Sequence, residues 1–130
     1  KKRPFVFLTS NNTRDMSDAL KRRCLHLYVP FPDAKLEREI IRARVPEIPK
    51  ELRTMLVDFV QSVRTMDLKK QPSVSETIDW ARVLLLLHAT ELDADMVRET
   101  LNVFLKFEED IQAVDQHLYE FIRNAEKAVA

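Results

Sequence analysis

Two groups of polar residues near the amino end have the side chains needed to handle a phosphate. Residues 9–12 (Thr-Ser-Asn-Asn) follow an apolar run, and Arg22 and Arg23 come further along the chain. The amide of Asn11 could donate to a phosphate or orient a water molecule. The planar guanidinium groups of Arg22 and Arg23 are of the kind that stabilise charge during phosphoryl transfer. These three residues are therefore the candidate catalytic residues.

Each of these features also has a simpler structural explanation. Asn11 and Asn12 are residues that form turns. Arg22 and Arg23 come at the predicted carboxyl end of a short helix, where the helix dipole favours cations. The residue types alone leave both interpretations open.

Two short apolar runs would position these residues. Residues 5–8 (Phe-Val-Phe-Leu) and 25–29 (Leu-His-Leu-Tyr-Val) are typical of strands buried in a parallel sheet. The segment between them has room for a crossover helix near Ser17 to Arg23, capped by Ser17 or Asp18. Pro30 and Pro32 end the second run. Two parallel strands do not form a stable sheet alone, so we expect further strands upstream of residue 1.

The remainder of the sequence predicts helices only. Asp33 caps a helix over 34–44 with Leu36, Ile40 and Ile41 on one face. A second amphipathic helix covers 49–66, and its polar face is expected to be solvated charge. Later helices are predicted from a capping box at Ser73 to about residue 89, from a cap at Asp93, and over 109–128. The apolar run at 83–87 predicts that the helix from Ser73 to about residue 89 is central to the bundle.

The composition excludes some kinds of site. The chain has no glycine, so it contains no glycine-rich phosphate loop of either common type. Its 21 basic and 21 acidic residues balance, yet residues 1–30 hold seven basic and two acidic residues and carry a net charge of +5. A local basic end suits a bound anion better than a nucleic-acid duplex along the whole surface. The acidic run 108–110 is expected to be a solvated helix start.

Cysteine and histidine give no sign of a metal site or a nucleophile. The single Cys24 cannot form an intrachain disulfide, which indicates a reducing compartment and predicts a cytoplasmic protein. We expect Cys24 to be a buried, small hydrophobic residue. His26, His88 and His117 lack metal-ligand spacing and are expected to be structural or exposed. No apolar run is long enough for a membrane span, and we expect neither a membrane partner nor a metal.

Several of these segments resemble an AAA+ ATPase of the MoxR-like group. Residues 5–11 are similar to the sensor 1 strand, which ends in a polar residue that contacts the γ-phosphate and the attacking water. Residues 17–29 resemble the segment carrying the arginine finger, with Arg23 as the best match and Arg22 as the second. Residues 30–33 (Pro-Phe-Pro-Asp) are similar to the exit from the last core strand into the helical lid, and residues 72–82 resemble part of that lid.

The resemblance implies a fold class, a cofactor and partners. The fold would be mainly α: residues 1–32 a remnant of a parallel α/β P-loop core, and residues 33–130 an all-helical AAA+ lid. The full-length protein would bind ATP with Mg²⁺, form a ring (expected to be a hexamer) and remodel or mature a client protein. The present chain lacks the Walker A and Walker B motifs, which would lie upstream of residue 1, so it is not expected to hydrolyse ATP or hold a cofactor alone.

The chain departs from the family pattern at the sensor 2 position. The family places an arginine at the start of a lid helix, where this sequence has residues 76–79 (Glu-Thr-Ile-Asp). Arg82, one turn later, could replace that arginine and contact the nucleotide. The alternative, which the spacing favours, is a surface ion pair with Asp79 at i, i+3.

A competing hypothesis assigns the chain to another class. It would be a helical binding module that docks nucleic acid or a protein partner through its basic amino end, with Arg14, Lys21, Arg22 and Arg23 contributing alike. The net charge of −5 on the remaining residues disfavours a nucleic-acid partner.

Overall fold

The computed structural model describes residues 2–10 and 16–130. The chain divides into two compact units, Lys1–Pro30 and Phe31–Ala130. Within the described residues the protein is mainly helical and contains no strand. The helices are α1 (Asp18–Arg23), α2 (Ala34–Arg44), α3 (Lys50–Val63), α4 (Val74–Leu86), α5 (Ala94–Phe104), α6 (Glu108–Gln116) and α7 (Leu118–Val129). No helix in this part of the chain is both long enough and apolar enough to cross a membrane.

The amino-terminal unit contains α1 and two apolar segments. The hydroxyl of Ser17 accepts a hydrogen bond from the Leu20 amide at 3.3 Å, which confirms the predicted cap. Residues 5–8 and 25–29 form no strand in the described part of the chain, and their apolar side chains are exposed. Strands require a partner for their backbone hydrogen bonds, and the described residues supply none. Cys24 is exposed, so its predicted burial is wrong.

The helical unit, Phe31–Ala130, begins its helices where the sequence predicts. Asp33 caps α2 by accepting from the Leu36 amide at 2.8 Å. Ser73 and Glu76 form the predicted capping box at the start of α4, and Asp93 caps α5. Each cap satisfies amides that the first helical turn leaves without an intrahelical acceptor.

The core lies mainly around α3, which packs against α2, α4 and α7. Its amphipathic stripe is buried as predicted, with Leu52, Leu56, Phe59, Val60 and Val63 fully inaccessible to solvent. α4 also packs against α2 and α5, but its apolar run is not buried as a whole, because Leu86 and Leu87 are 77% and 52% exposed. An apolar run at a helix end does not imply burial of all its members.

Aromatic rings fill the centre of this core. Phe59 contacts the rings of Trp80, Phe104 and Phe121 at centroid distances of 5.5, 6.3 and 6.0 Å. The indole N–H of the buried Trp80 donates to the Thr100 hydroxyl at 2.9 Å. The polar end of the tryptophan is therefore satisfied inside the core.

α4 ends in a backbone arrangement that usually requires glycine. The Ala89 amide donates to the Leu84 carbonyl at 3.0 Å and the His88 amide to the Leu85 carbonyl at 3.1 Å, the bond pattern of a Schellman motif. His88 occupies the left-handed position with φ of 57°. A chain without glycine closes this helix with a histidine.

The last predicted helix is divided in two. His117 separates α6 from α7, and its amide donates to the Val114 carbonyl at 3.0 Å, one residue short of the α-helical partner. Val114 before the break and Leu118, Phe121 and Ala125 after it are nevertheless buried. The buried apolar positions therefore continue across the interruption, and α7 packs against α3.

Candidate functional site

The two candidate arginines lie in the last turn of α1. Arg22 and Arg23 are exposed, as is the neighbouring Lys21. Neither arginine forms an ion pair with any residue that the structure describes. Three cations at a helix carboxyl end interact favourably with its dipole, so this position also has a structural explanation.

Asn11, the third candidate catalytic residue, lies outside the described residues, as do Asn12 and Arg14. Their predicted roles remain predictions.

Arg82, the candidate nucleotide-binding residue of the helical unit, lies on the surface of α4. Its Nη1 is 3.6 Å from Oδ1 of Asp79, and both side chains are more than half exposed. The ion pair that the i, i+3 spacing favours is thus present. An exposed pair of this length contributes little to stability, so Arg82 could exchange Asp79 for another anion at small cost.

The three histidines are all exposed. The ring of His117 stacks on Phe121 with centroids 5.7 Å apart. Within residues 2–10 and 16–130, no three His, Cys, Asp or Glu side chains are grouped to hold a metal ion.

A group of four buried or half-buried polar side chains, which the sequence did not single out, connects α2, α3 and α4. We call Glu37, Gln61, Arg64 and Thr77 the polar clamp. Arg64 Nη1 and Nη2 donate to the two carboxylate oxygens of Glu37 at 2.8 and 2.7 Å, the bidentate geometry that makes such pairs strong. Gln61 Nε2 also donates to Glu37 at 3.0 Å. The Glu37 side chain is fully buried and that of Arg64 is 7% exposed.

The polar clamp also binds backbone carbonyl groups at both of its ends. Arg64 Nε donates to the carbonyl of Pro72, just before α4, at 2.9 Å. Gln61 Nε2 donates to the carbonyl of Pro32, just before α2, at 3.0 Å. The Arg64 guanidinium also lies 4.7 Å from the ring centre of Phe31, within cation–π range.

A second set of contacts holds the loop between α3 and α4. The buried Asp110 accepts from the amides of Lys69 and Lys70 at 2.9 and 3.2 Å. The Lys70 ammonium in turn pairs with Glu76 at 2.8 Å. The expectation that 108–110 is a solvated helix start is therefore wrong for Asp110, which anchors a loop about 40 residues away in sequence.

Two partly buried carboxyl groups have shifted pKa values. Desolvation raises the pKa of Asp58, and the charge of Arg38 opposes that rise only in part. Desolvation also acts to raise the pKa of Glu76, but hydrogen bonds from Lys70 and Ser73 outweigh it, and the net pKa is lowered. The capping box and the Lys70 ion pair account for the Glu76 shift, so it does not mark a catalytic group.

A groove of about 320 Å³ lies where the start of α3 meets the end of α7. It is lined by Lys50, Glu51, Thr54, Ala128 and Val129. None of these residues belongs to a predicted site, and the lining has no concentration of acids, bases or cations. This contact between the beginning of one helix and the end of the other indicates that α3 and α7 run antiparallel.

Periodicity did not identify the polar clamp, for a definable reason. Glu37 is four residues before Ile41 and shares its buried face, whereas Leu36 is 54% exposed. Arg64 and Gln61, three residues apart, lie on the face of α3 that was expected to be solvated. A glutamate in register with a buried isoleucine was the available signal, but a charged side chain on such a face is usually exposed.

Comparisons of the chain with protein-family models, with curated proteins and with solved structures find no match.

Proposed function

We propose that the chain is the carboxyl-terminal part of a MoxR-like AAA+ ATPase. Residues 1–32 would be the end of the α/β core, with 5–8 and 25–29 as strands completed by upstream sequence. Residues 33–130 would be the helical lid. The observation that carries the proposal is the order of parts: an exposed basic helix end, a Pro-Phe-Pro connection, and an Asp-capped helical unit with its own core.

In this proposal Arg23 acts as the arginine finger, with Arg22 as the alternative. Their guanidinium groups are exposed and form no ion pair within the described residues, so both are free to contact a phosphate of a neighbouring subunit. Asn11 would orient the attacking water in its own subunit. Arg82 would take the place of the sensor 2 arginine, giving up its exposed pair with Asp79.

The bound group would be ATP with Mg²⁺, which supplies the phosphoanhydride bond that is hydrolysed. The exposed arginines fit its negative charge. The glycine-rich loop and the acids that hold magnesium would come from sequence upstream of residue 1. The ring, expected to be a hexamer, would transmit the nucleotide state to a client protein.

The test of this proposal measures ATP hydrolysis by the full-length protein. It asks whether one subunit can supply the arginine to the site of its neighbour. Arg23→Ala should lower ATP turnover about 10³-fold or more, because a finger stabilises charge in the transition state. Mixing this variant with a second variant defective in Walker B should restore part of the turnover in sites shared between subunits. Full activity of Arg23→Ala alone would reject the assignment.

Arg22→Ala is the matched control, since it removes the same charge from the same helical turn. If Arg22→Ala loses turnover and Arg23→Ala does not, the finger is Arg22. Equal, small losses in both variants would indicate a general electrostatic role and would count against a finger.

The exposure of Lys21, Arg22 and Arg23 on one helix end also favours a second candidate, a basic docking site for nucleic acid or an acidic protein segment. It predicts binding by the present chain that weakens steeply with salt, with each of the three cations contributing similarly. Titration with labelled DNA and RNA at about 50 and 200 mM salt separates the candidates. The ATPase proposal predicts no specific binding in this assay.

A further inference from the structure

The polar clamp reaches beyond the helices to the two residues that precede the Asp33 cap. We call Phe31 and Pro32 the lead-in segment. Gln61 binds the Pro32 carbonyl at 3.0 Å, and Arg64 lies 4.7 Å from the Phe31 ring centre. Both contacting side chains are also bonded to the buried Glu37 carboxylate.

We propose that the polar clamp is a positioning device that fixes the lead-in segment to the helical unit, so that the rigid part of this unit begins at Phe31 and not at the first residue of α2. The proposal does not depend on nucleotide binding or on the arginine finger. It assigns a role in chain geometry to a group of buried polar residues that the ATPase proposal does not use.

The chemistry of the clamp argues against a role in stability alone. Removing a glutamate and an arginine from water is expensive, and replacing such a pair by apolar side chains of similar volume often leaves stability unchanged or increases it. Three helices could pack here with apolar residues. An apolar replacement could supply neither the Gln61 donor that binds the Pro32 carbonyl nor the Arg64 cation that lies over the Phe31 ring.

The backbone of the lead-in segment has few free torsions, so a few contacts are sufficient to fix its orientation. Pro32 has a fixed φ, and a residue that precedes proline, as Phe31 does, is restricted to extended conformations. Few torsions remain free between Phe31 and Asp33. One hydrogen bond to the Pro32 carbonyl and one ring contact therefore orient the whole segment, and Asp33 continues the ordered chain by capping the Leu36 amide.

The double variant Glu37→Leu/Arg64→Met separates positioning from stability in the full chain of 130 residues. We expect its urea midpoint to equal or exceed that of the wild type, because no buried charge is left unpaired. We expect the hydrogen-exchange protection factor of the Leu36 amide to fall on the order of tenfold, because Phe31 loses its contact with Arg64 and the Gln61 amide that binds the Pro32 carbonyl loses its second partner, Glu37.

Gln61→Met is the second variant, because it conserves side-chain shape and leaves the Glu37–Arg64 pair intact. It removes the Gln61 hydrogen bonds to the Pro32 carbonyl and to Glu37, and we expect the hydrogen-exchange protection of the Leu36 amide to fall about fivefold, because the lead-in segment loses its hydrogen bond to the helical unit. Thr100→Val is the matched control, because it removes a buried hydrogen bond to Trp80 that is far from α2 in sequence. In this variant the protection of the Leu36 amide should change no more than the global stability does. Unchanged Leu36 protection in Gln61→Met, or an equal decrease in Thr100→Val, would overturn the proposal. Gln61→Met decides the question if the double variant does not fold.

Discussion

Arg64 and Arg82 belong to the same helical unit, yet their side chains have opposite environments. The Arg64 side chain is 7% exposed, and its guanidinium donates to Glu37, Thr77 and the Pro72 carbonyl. The Arg82 side chain is 52% exposed and pairs only with Asp79 among the described residues. Burial decides the energetic consequence of losing each charge, because an unpaired buried carboxylate has no water to replace its partner.

We therefore expect Arg64→Met and Arg82→Met to differ widely in stability. Arg64→Met leaves the Glu37 carboxylate buried with only Gln61 and Thr77 as donors, and should lower the free energy of unfolding by about 3–5 kcal/mol. Arg82→Met should change it by less than about 1 kcal/mol. Urea denaturation followed by Trp80 fluorescence measures both. Similar losses would show that the Glu37–Arg64 pair is not as desolvated as its geometry indicates.

At the scale of the element, the two ends of α4 have different chemistry. Its start carries the capping box of Ser73 and Glu76, with Lys70 added to the carboxylate. Its end carries His88 in the left-handed conformation. The start is stabilised by side-chain hydrogen bonds and the end by backbone hydrogen bonds alone. Substitutions at the start therefore test side-chain capping, and substitutions at the end test backbone conformation.

Glu76→Gln should alter the dependence of stability on pH. The pKa of Glu76 is lowered in the folded state, so its contribution to stability is fully present above the unfolded pKa of about 4.3 and is lost as pH falls through the folded pKa. We expect Glu76→Gln to cost about 1 kcal/mol at pH 7 and progressively less in acid. Urea denaturation between about pH 2 and 7 provides the comparison, with the exposed Glu47→Gln as control. A pH-independent difference between wild type and Glu76→Gln would contradict the assigned role of the carboxylate.

The stability of variants at His88 should follow how well each substituted residue tolerates the left-handed conformation. His88→Val places a β-branched residue at φ of 57° and should cost about 1 kcal/mol or more. His88→Asn should be neutral or slightly stabilising, because asparagine tolerates this conformation. Thermal unfolding of the two variants ranks them directly. A valine variant as stable as the asparagine variant would mean that the turn does not keep this conformation.

At the scale of the whole molecule, all buried hydrophobic residues of the described chain lie between Ile41 and Ala125. The apolar side chains of residues 5–8 and 25–29 are exposed, several of them by more than 70%. The helical unit therefore possesses its own core, and no buried hydrophobic residue comes from residues 2–10 or 16–30. Stability should reside in Phe31–Ala130.

We expect residues 31–130, expressed alone, to fold with close to the stability of the full chain. Unfolding should be two-state, because a single core connects α2 to α7. Helix content by circular dichroism and Trp80 fluorescence should report the same urea midpoint. Divergent midpoints, or a fragment that is markedly less stable than the full chain, would show that Lys1–Pro30 stabilises the core.

The helices and their caps were largely predictable from sequence, and the polar interactions between residues far apart in the chain were not. Asp33, Ser73 and Asp93 marked helix starts correctly because capping depends on neighbours within four residues. Pairing of Glu37 with Arg64, and of Asp110 with the Lys69 amide, joins residues 27 and 41 positions apart. No local pattern encodes such a contact, so charged residues that are buried in the structure were expected in solvent.

The candidate site was predictable only as residue types. The position of Arg22 and Arg23 in the last turn of a short helix follows from local sequence, and the structure has them there. What an arginine finger contacts is a neighbouring molecule, which a single chain does not contain. The roles of Arg23, Arg22 and Asn11 therefore remain predictions for the experiments on the full-length protein.

His88 occupies a position at which helices in other proteins commonly have glycine. The absence of glycine from this sequence has a consequence for the unfolded chain. Glycine has more backbone freedom than any other residue and loses the most when it is fixed. A sequence of 130 residues without glycine begins from a narrower ensemble of unfolded conformations, so ordering its turns costs less entropy. The strain of one left-handed histidine is small beside that saving. The helical unit obtains rigid connections by restricting the disordered state as well as by adding contacts to the folded one.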